Sequence, residues 1–485
     1  MTLQKLNPFA SMSNGREVWA WGMYDLANQS FALLIITLLF SIYVQEIVSP
    51  GAGLTPDEVA AVEVFTEARQ DDPTLAATAE VQASIDRIDE AAGRGQFNWS
   101  LLQGSSMLLV VLLSPLVGAM ADARGWRKQF LIAGGFACAL LTASLAGVGP
   151  GMLWLAALLY IPANLLFQLG ENVLASFLPD VATPRTIGRV SALGWTMGYI
   201  GALMLLVITG AAMQLLGLAE PVKWRVFFIF AGVWFALGIV PATLLLRNDP
   251  PDVDAGDGRS IVVQSVGRLL DTAKRVREYR QLATFLAGFF VYGFGVQVII
   301  AFAGILAKSF GFVQTELVLF VAQITVVAGI AAALTGRFQD RIGAKNTVLI
   351  YLGVWIISCS GLLAIELIWP TVGPKWPLWI VGNGLGLGLG GIGTSSRAMV
   401  ARFTPPHRSA EFFGLWGLAY KLAGALGTLS FGVVAAALGQ AASLGLLLGF
   451  FVVGTILVLP VNETAGLCAA RRAQRRRAAE LAGQS

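Results

Sequence analysis

Long apolar stretches broken by short polar ones dominate this chain. Twelve of them hold the roughly 20 mostly apolar residues that a helix needs to cross a hydrocarbon core: 18–46, 99–121, 129–148, 151–174, 191–216, 224–246, 281–307, 315–336, 346–369, 376–400, 411–438 and 440–461. The pattern predicts an all-α integral membrane protein with twelve transmembrane helices. The first run is too long for a signal-peptide core and lacks a small-residue cleavage site, so it is expected to be retained. Composition agrees. Of 485 residues, 56% are hydrophobic and 13% charged, and mean hydropathy is +0.70, whereas soluble chains carry about 25% charged residues.

Charge adds orientation. The net charge of +4 is too small to be a nucleic-acid signature, and no nucleic-acid partner is expected. Most of the 33 Lys and Arg fall in alternate loops: Arg124, Arg127 and Lys128; Arg185 and Arg189; seven between 247 and 280; Arg337, Arg341 and Lys345; Arg397, Arg402 and Arg408; and the tail "RRAQRRR". By the positive-inside rule those loops and both termini are cytoplasmic. On the opposite side only residues 54–94 are strongly charged, with ten acids and three bases, and their interleaved apolar residues are compatible with short external helices. Cys138 and Cys359 lie in apolar runs, Cys468 lies in the tail, and His407 is the only histidine. Neither a disulfide framework nor a metal-ligand set is legible, so no metal and no cofactor are expected.

The runs divide into an N-terminal tail (1–17), a first six-helix half (18–247) with an acidic insertion (50–97), a cytoplasmic linker (248–280), a second half (281–462) and a basic cytoplasmic tail (463–485). In the linker, Val262, Val266, Leu269 and Leu270 recur at helical spacing beside Arg268, Lys274, Arg275, Arg277 and Arg280. An amphipathic helix on the inner leaflet and a solvated connector both fit. The halves repeat each other. "GAMADARGWRK" and "GRFQDRIGAKN" align Gly118 with Gly336, Asp122 with Asp340, Gly125 with Gly343 and Arg127 with Lys345. Thr183, Pro184, Trp195 and Tyr199 likewise match Thr404, Pro405, Trp416 and Tyr420. Duplicated six-helix units are how many secondary transporters build two halves that rock about a central site.

The duplicated G-x-x-x-D-x-x-G loops join the second and third helix of each half. A glycine lets helices approach, and an Asp there can cap a helix or pair with Arg in one state and release it in another. Gly118, Asp122, Arg127, Gly336, Asp340, Arg341 and Lys345 are therefore candidate cytoplasmic gating residues. These loops resemble the major facilitator superfamily motif G-x-x-x-D-R-x-G-R-R/K, with Ala123 in place of Arg in the first copy and Ala344 in place of a base in the second. "YDLANQSF", "LPDVATPRTIGRVSALGWTMGYIGALM" and "PPHRSAEFFGLWGLAYKLAGALGTLSFG" are similar to the branch of autophagy-related vacuolar amino-acid effluxers and their bacterial relatives. The resemblance implies two pseudo-symmetric six-helix bundles, amino-acid-like export and, for a bacterial relative, the inner membrane.

Charged groups inside a bilayer cost several kcal/mol unless something compensates, so each needs a reason. Asp25 lies roughly 12 Å into the first helix, Glu171 roughly 10 Å before the end of the fourth and Lys421 roughly 15 Å into the eleventh, at 1.5 Å per residue. Asp25, Asn28 and Gln29 share a helix face, as do Asn164, Gln168 and Glu171, with Asn172 beside them. The resemblance implies that helices 1 and 4 line a central cavity and that helix 11 borders it. Tyr292, Gln297, Gln323 and Asn383 are candidates for the second half's lining. If Lys421 pairs with one acid, the other is left to carry a coupling proton; Lys421 could instead bind a substrate carboxylate and the acids its amine, which suits a zwitterion. Packing between helices is the alternative role.

"GNGLGLGLGGIG" at 382–393 contains GxGxxG patterns but no preceding strand, so close helix packing is the better reading. "NWS" at 98–100 is flush against the second run and is read as a chance glycosylation pattern. The expected activity is secondary active transport of a small polar organic solute by a monomer in the lipid bilayer, with proton coupling left open. The rival is a non-transporting receptor or sensor on the same fold. An enzyme is not expected, since no nucleophile and base pair or metal set lies at membrane depth.

Overall fold

The computed structural model describes residues 14–71, 75–181, 187–247, 279–369, 373–404 and 409–482, and these are almost entirely helical. The helices are α1 (Gly15–Gln29), α2 (Leu39–Tyr43), α3 (Pro56–Asp71), α4 (Ala79–Arg124), α5 (Arg127–Ser144), α6 (Leu153–Ser176), α7 (Leu178–Val181), α8 (Ile187–Leu215) and α9 (Arg225–Leu245). They continue with α10 (Arg280–Ser309), α11 (Gln314–Ile342), α12 (Ala344–Ile368), α13 (Trp376–Phe403), α14 (Ser409–Val458) and α15 (Glu463–Ala482). The linker's amphipathic stretch lies outside the described residues.

Ten helices among the described residues are long and apolar enough to cross a membrane. One of them, Phe412–Val458, has 47 residues, far more than one crossing of about 30 Å needs. Gly439, at φ 82° and ψ 178°, divides α14 into two helices. The 28-residue α13 is not among the ten, because its glycines and Asn383 dilute its apolar character. Leu112, Leu140, Val207, Leu237 and Ile357 are exposed on helix surfaces, where lipid rather than water is the matching solvent.

The chain forms two compact units: Met1–Ser49 with Ser105–Ser265, and Pro50–Gly104 with Val266–Ser485. The boundary falls within the 46-residue α4. In the first unit α1 packs on α8 and α9, and α5 on α6 and α9. Aromatic rings pack together within it, Phe31 stacked on Tyr160 and tilted against Phe167, and Phe40 stacked on Tyr160. After Gln29 the helix widens into a π-helical stretch, Ser30–Leu38, anchored where Ser30 Oγ donates to Ala231 O at 3.0 Å. Widened turns of this kind are frequent at functional sites.

In the second unit the glycine-rich α13 is wedged between two neighbours. Gly382, Gly386 and Gly390, one turn apart, meet Phe320, Ile324 and Ala328 of α11. Gly384, Gly388 and Gly391 meet Ser358, Trp355 and Tyr351 of α12. One glycine stripe thus lets α13 approach the backbone of α11 and the other takes in side chains of α12, and the motif is a packing device. The acidic insertion supplies α3, capped where Thr55 N–H donates to Glu58 Oε2 at 2.8 Å, and the first turns of α4, to which an Arg87–Glu58 ion pair ties it. Farther along α4, Trp99 Nε1 donates to Ala301 O at 2.8 Å, and Gly432 admits Ser100 at close range.

Candidate transport site

The first unit gathers its polar residues where α1, α6 and α8 meet. Asn28, only 2% exposed, donates its amide to Glu171 Oε1 on α6, a direct bond between the first and fourth apolar runs. Asp25 and Gln29 turn toward α8 instead, with their polar ends 3.2 and 3.4 Å from where side chains at Gly194 and Gly198 would begin. Glycines at those positions leave the room these longer side chains occupy. Asp25 and Glu171 are close enough for their charges to interact. Trp21 Nε1 closes one edge by donating to Leu174 O at 2.8 Å. Gln168, half-buried, lies between Asn164 and Glu171 along α6.

Asn164 and Asn172 have a structural partner each. Their amides donate to Ser106 and Ser114 of α4, at 2.6 and 2.7 Å, two helical turns apart on both helices. The signal was in the sequence: serines eight apart in one run, asparagines eight apart in another.

The second unit offers aromatic rings and cations. Phe289 on α10 packs on Trp416 and Tyr420 of α14, at centroid separations of 5.4 and 5.9 Å, and Trp416 and Tyr420 stack nearly parallel. Tyr292 shares a 2.7 Å hydrogen bond with Ser396 of α13, and Gln297 Nε2 donates to Tyr420 O at 3.4 Å. Lys421 follows in α14, 9% exposed. Gln323 donates to Trp379 O at 2.8 Å, and the exposed Asn383 donates to the same carbonyl at 3.0 Å, so both serve the α11–α13 contact or their own helix. Arg397, counted with the cytoplasmic cations and also within the tenth apolar run, stands inside α13, its guanidinium 5.8 Å from the Trp416 ring centre.

The loop glycines behave alike in both units. Gly125 and Gly343, paired by the sequence repeat, adopt φ of 64° and 90°, a backbone turn that a side chain would strain. Next to them Arg127 pairs with Asp180 at 3.0 Å and donates to Ser176 O, and Lys128 Nζ donates to Leu246 O at 2.6 Å. In the second unit Lys345 Nζ donates to Leu459 O at 2.7 Å, while Arg341 is exposed. The side chains at Gly118, Asp122, Gly336 and Asp340 lie outside the described residues.

Glu463, at the start of α15, closes this end of the second unit. It accepts the amides of Ala344 and Lys345 at 3.2 and 3.0 Å and the Arg402 guanidinium at 2.5 Å. Burial works against its charge, but the two amides at the positive end of α12 and Arg402 outweigh it and hold its carboxyl below the ordinary glutamate value.

Solved transporters share this architecture. A D-xylose-proton symporter matches with a TM-score of 0.65 at 13% identity, covering 93% of this chain and 98% of that one. The nucleoside transporter NupG matches at 0.63 and 13%, covering 91% and 99%. The chain is thus a multi-pass membrane protein with the fold of major facilitator transporters. Within that class residues 13–471 match the family described as "Vacuole effluxer Atg22 like", and the protein belongs to it. An "Uncharacterized MFS-type transporter YxiO" of Bacillus subtilis is 26% identical over 92% of this chain and 94% of its own length. "Autophagy-related protein 22-2" of Aspergillus clavatus is 26% identical over 52% of this chain; the match spans 44% of that relative's length.

Proposed function

We propose that this protein is a secondary active exporter of small amino-acid-like solutes, working by alternating access through twelve membrane crossings with both termini in the cytoplasm. The observation that carries the reading is the Asn28–Glu171 bond with Asp25 beside it: two acids and two amides gathered on two helices of a transporter fold, with glycines of a third making room for them. An intramembrane group of this kind marks a transport path by default. Within the first unit, the two carboxylates are the counter-charge that the amine of an amino-acid-like solute requires. A proton delivered to the Asp25–Glu171 pair relieves the repulsion between its members, which makes that pair the coupling site.

Counterflow in proteoliposomes across a panel of amino acids, with and without a pH gradient, tests this. Accumulation of at least one amino acid is expected. No flux of any of them through folded protein would refute the export reading and favour a receptor. Asp25→Asn and Glu171→Gln test coupling: if both variants keep the wild-type dependence on the gradient, the pair is not the proton carrier.

A further inference from the structure

The last helix carries charge that neither the transport site nor the loop network uses. α15 packs on α10 and α13, and its first turn is clamped to the ends of three helices of the second unit. Asn462 caps it, accepting the Ala465 N–H at 3.0 Å, while the Asn462 N–H donates to Gln281 at the start of α10 at 2.7 Å. Glu463 takes the first two amides of α12 and the guanidinium of Arg402 near the end of α13. Gly466 lies against the Phe403 ring, where a side chain would not fit. Ala470, one turn on, is buried as well.

Glu463, Gly466 and Ala470 share one side of α15. Contact along two turns of that side lays the helix across the ends of its neighbours; a straight continuation of α14 would not reach them. Those neighbours include Arg280–Ser309 and Ala344–Ile368, each long and apolar enough to cross a membrane, so their ends mark the headgroup layer. Beyond Ala470 no described residue is buried. Arg471, Arg472 and Arg475 are exposed there, and none of the three pairs with an acid among the described residues. Arg476 and Arg477 follow in the sequence, and between Thr464 and Ala479 there is no Asp or Glu.

Five guanidinium groups within seven residues repel one another over roughly 10 Å of helix, and a layer of anions relieves that repulsion. All five are Arg, the side chain whose planar set of donors matches two oxygens of a phosphate group. Attraction to a charged surface fades within about 8 Å at physiological ionic strength, so such cations act on lipid only when the helix keeps them at the headgroup layer. The clamp at Asn462, Glu463 and Gly466 does that. We propose that α15 is a lipid-binding helix whose Arg471, Arg472 and Arg475 bind the phosphate groups of anionic phospholipids in the adjoining leaflet. The inference is independent of the solute carried and does not rest on the export reading.

Hydrogen exchange of the full-length protein tests it, in nanodiscs of zwitterionic phosphatidylcholine and in discs that also contain anionic phosphatidylglycerol. Three arginines near an anionic surface correspond to roughly 100-fold slower exchange over residues 471–482 in the anionic discs, with exchange over α13 equal in both. High salt should remove the difference. The triple variant Arg471→Gln, Arg472→Gln, Arg475→Gln should lose most of it; these side chains are exposed, and the wild-type comparison between discs needs no variant at all. Equal exchange in the two kinds of disc, a difference that survives high salt, or one that the triple variant keeps in full would overturn the proposal. Inorganic phosphate that slows exchange as much in phosphatidylcholine discs would overturn lipid as the occupant.

Discussion

The tightest approach in the second unit makes a quantitative prediction. A Cβ added at Gly390 would stand 1.9 Å from the Ala328 carbonyl oxygen and 2.7 Å from its carbon. Ordinary non-bonded contact is about 3.5 Å, so α11 and α13 must separate by more than 1 Å, and a backbone carbonyl cannot rotate out of the way. Overpacking of this severity costs about 3 kcal/mol, offset by about 1 kcal/mol because alanine is the better helix former. Gly390→Ala should therefore lose about 2 kcal/mol. Three residues on, Gly393 has nothing within 4 Å. There only the propensity gain operates, so Gly393→Ala should gain up to about 1 kcal/mol. The pair shares one helix, one residue type and one chemical change, which leaves the close approach as the difference. Detergent-solubilised protein followed by fluorescence-detected size exclusion after heating measures it: Gly390→Ala should melt several degrees below wild type and Gly393→Ala at or above it. Equal melting temperatures for the two variants would refute the claim that the glycine stripes set the spacing of these helices.

Three further outcomes follow from other contacts. Glu463→Gln removes the charge that caps α12 and holds Arg402 and should cost about 1–2 kcal/mol at neutral pH. Because the folded carboxyl is held below its ordinary value, its stabilisation is complete above the unfolded value of about 4.3 and is lost as pH falls through the lower folded one; acid melting scans should therefore converge for wild type and variant below that range. Asn164→Ala removes the Asn164–Ser106 hydrogen bond from the α4–α6 contact and should lower stability by about 1 kcal/mol while leaving the choice among solutes unchanged, as read by melting and by competition counterflow. Asn28→Ala should instead impair transport by 10-fold or more with a smaller effect on melting, since it removes the amide that holds Glu171 at the polar cluster; wild-type flux in that variant would sever the cluster from function.

Particular residues show how far sequence reading reached. The helix-face argument grouped Asp25, Asn28 and Gln29, and the structure divides them: Asn28 faces α6, whereas Asp25 and Gln29 face glycines of α8. An i+3 or i+4 relation says that side chains share a side of their own helix, not which neighbour lies opposite. Asn164 and Glu171 were placed on one polar stripe for the same reason, yet one bonds Ser106 and the other Asn28. Arg397 was counted among the cytoplasmic cations although the tenth apolar run, 376–400, already contained it, and Arg402 joins it because the helix continues to Phe403. The glycine run was correctly read as packing, although nothing in its spacing said that two helices share it.

What the sequence by itself determined is whatever depends on the solvent and on local chain geometry. Apolar length fixed the membrane class, since lipid leaves a backbone no partners but its own helix. The offset repeat pointed to Gly125 and Gly343, and both turn there through positive φ, because that turn depends on the residue and its immediate neighbours. Only tertiary structure decided the pairings: Asn28 with Glu171, Arg397 with Trp416, Glu463 with the start of α12 and with Arg402. Those contacts join residues tens to more than a hundred positions apart, and their identity depends on helix rotation and axial shift. A slide of one turn, 5.4 Å, would pair different side chains while leaving every hydrophobic run as it was. The sequence therefore shows that polar groups must find partners inside the membrane, and the packing of the helices selects which.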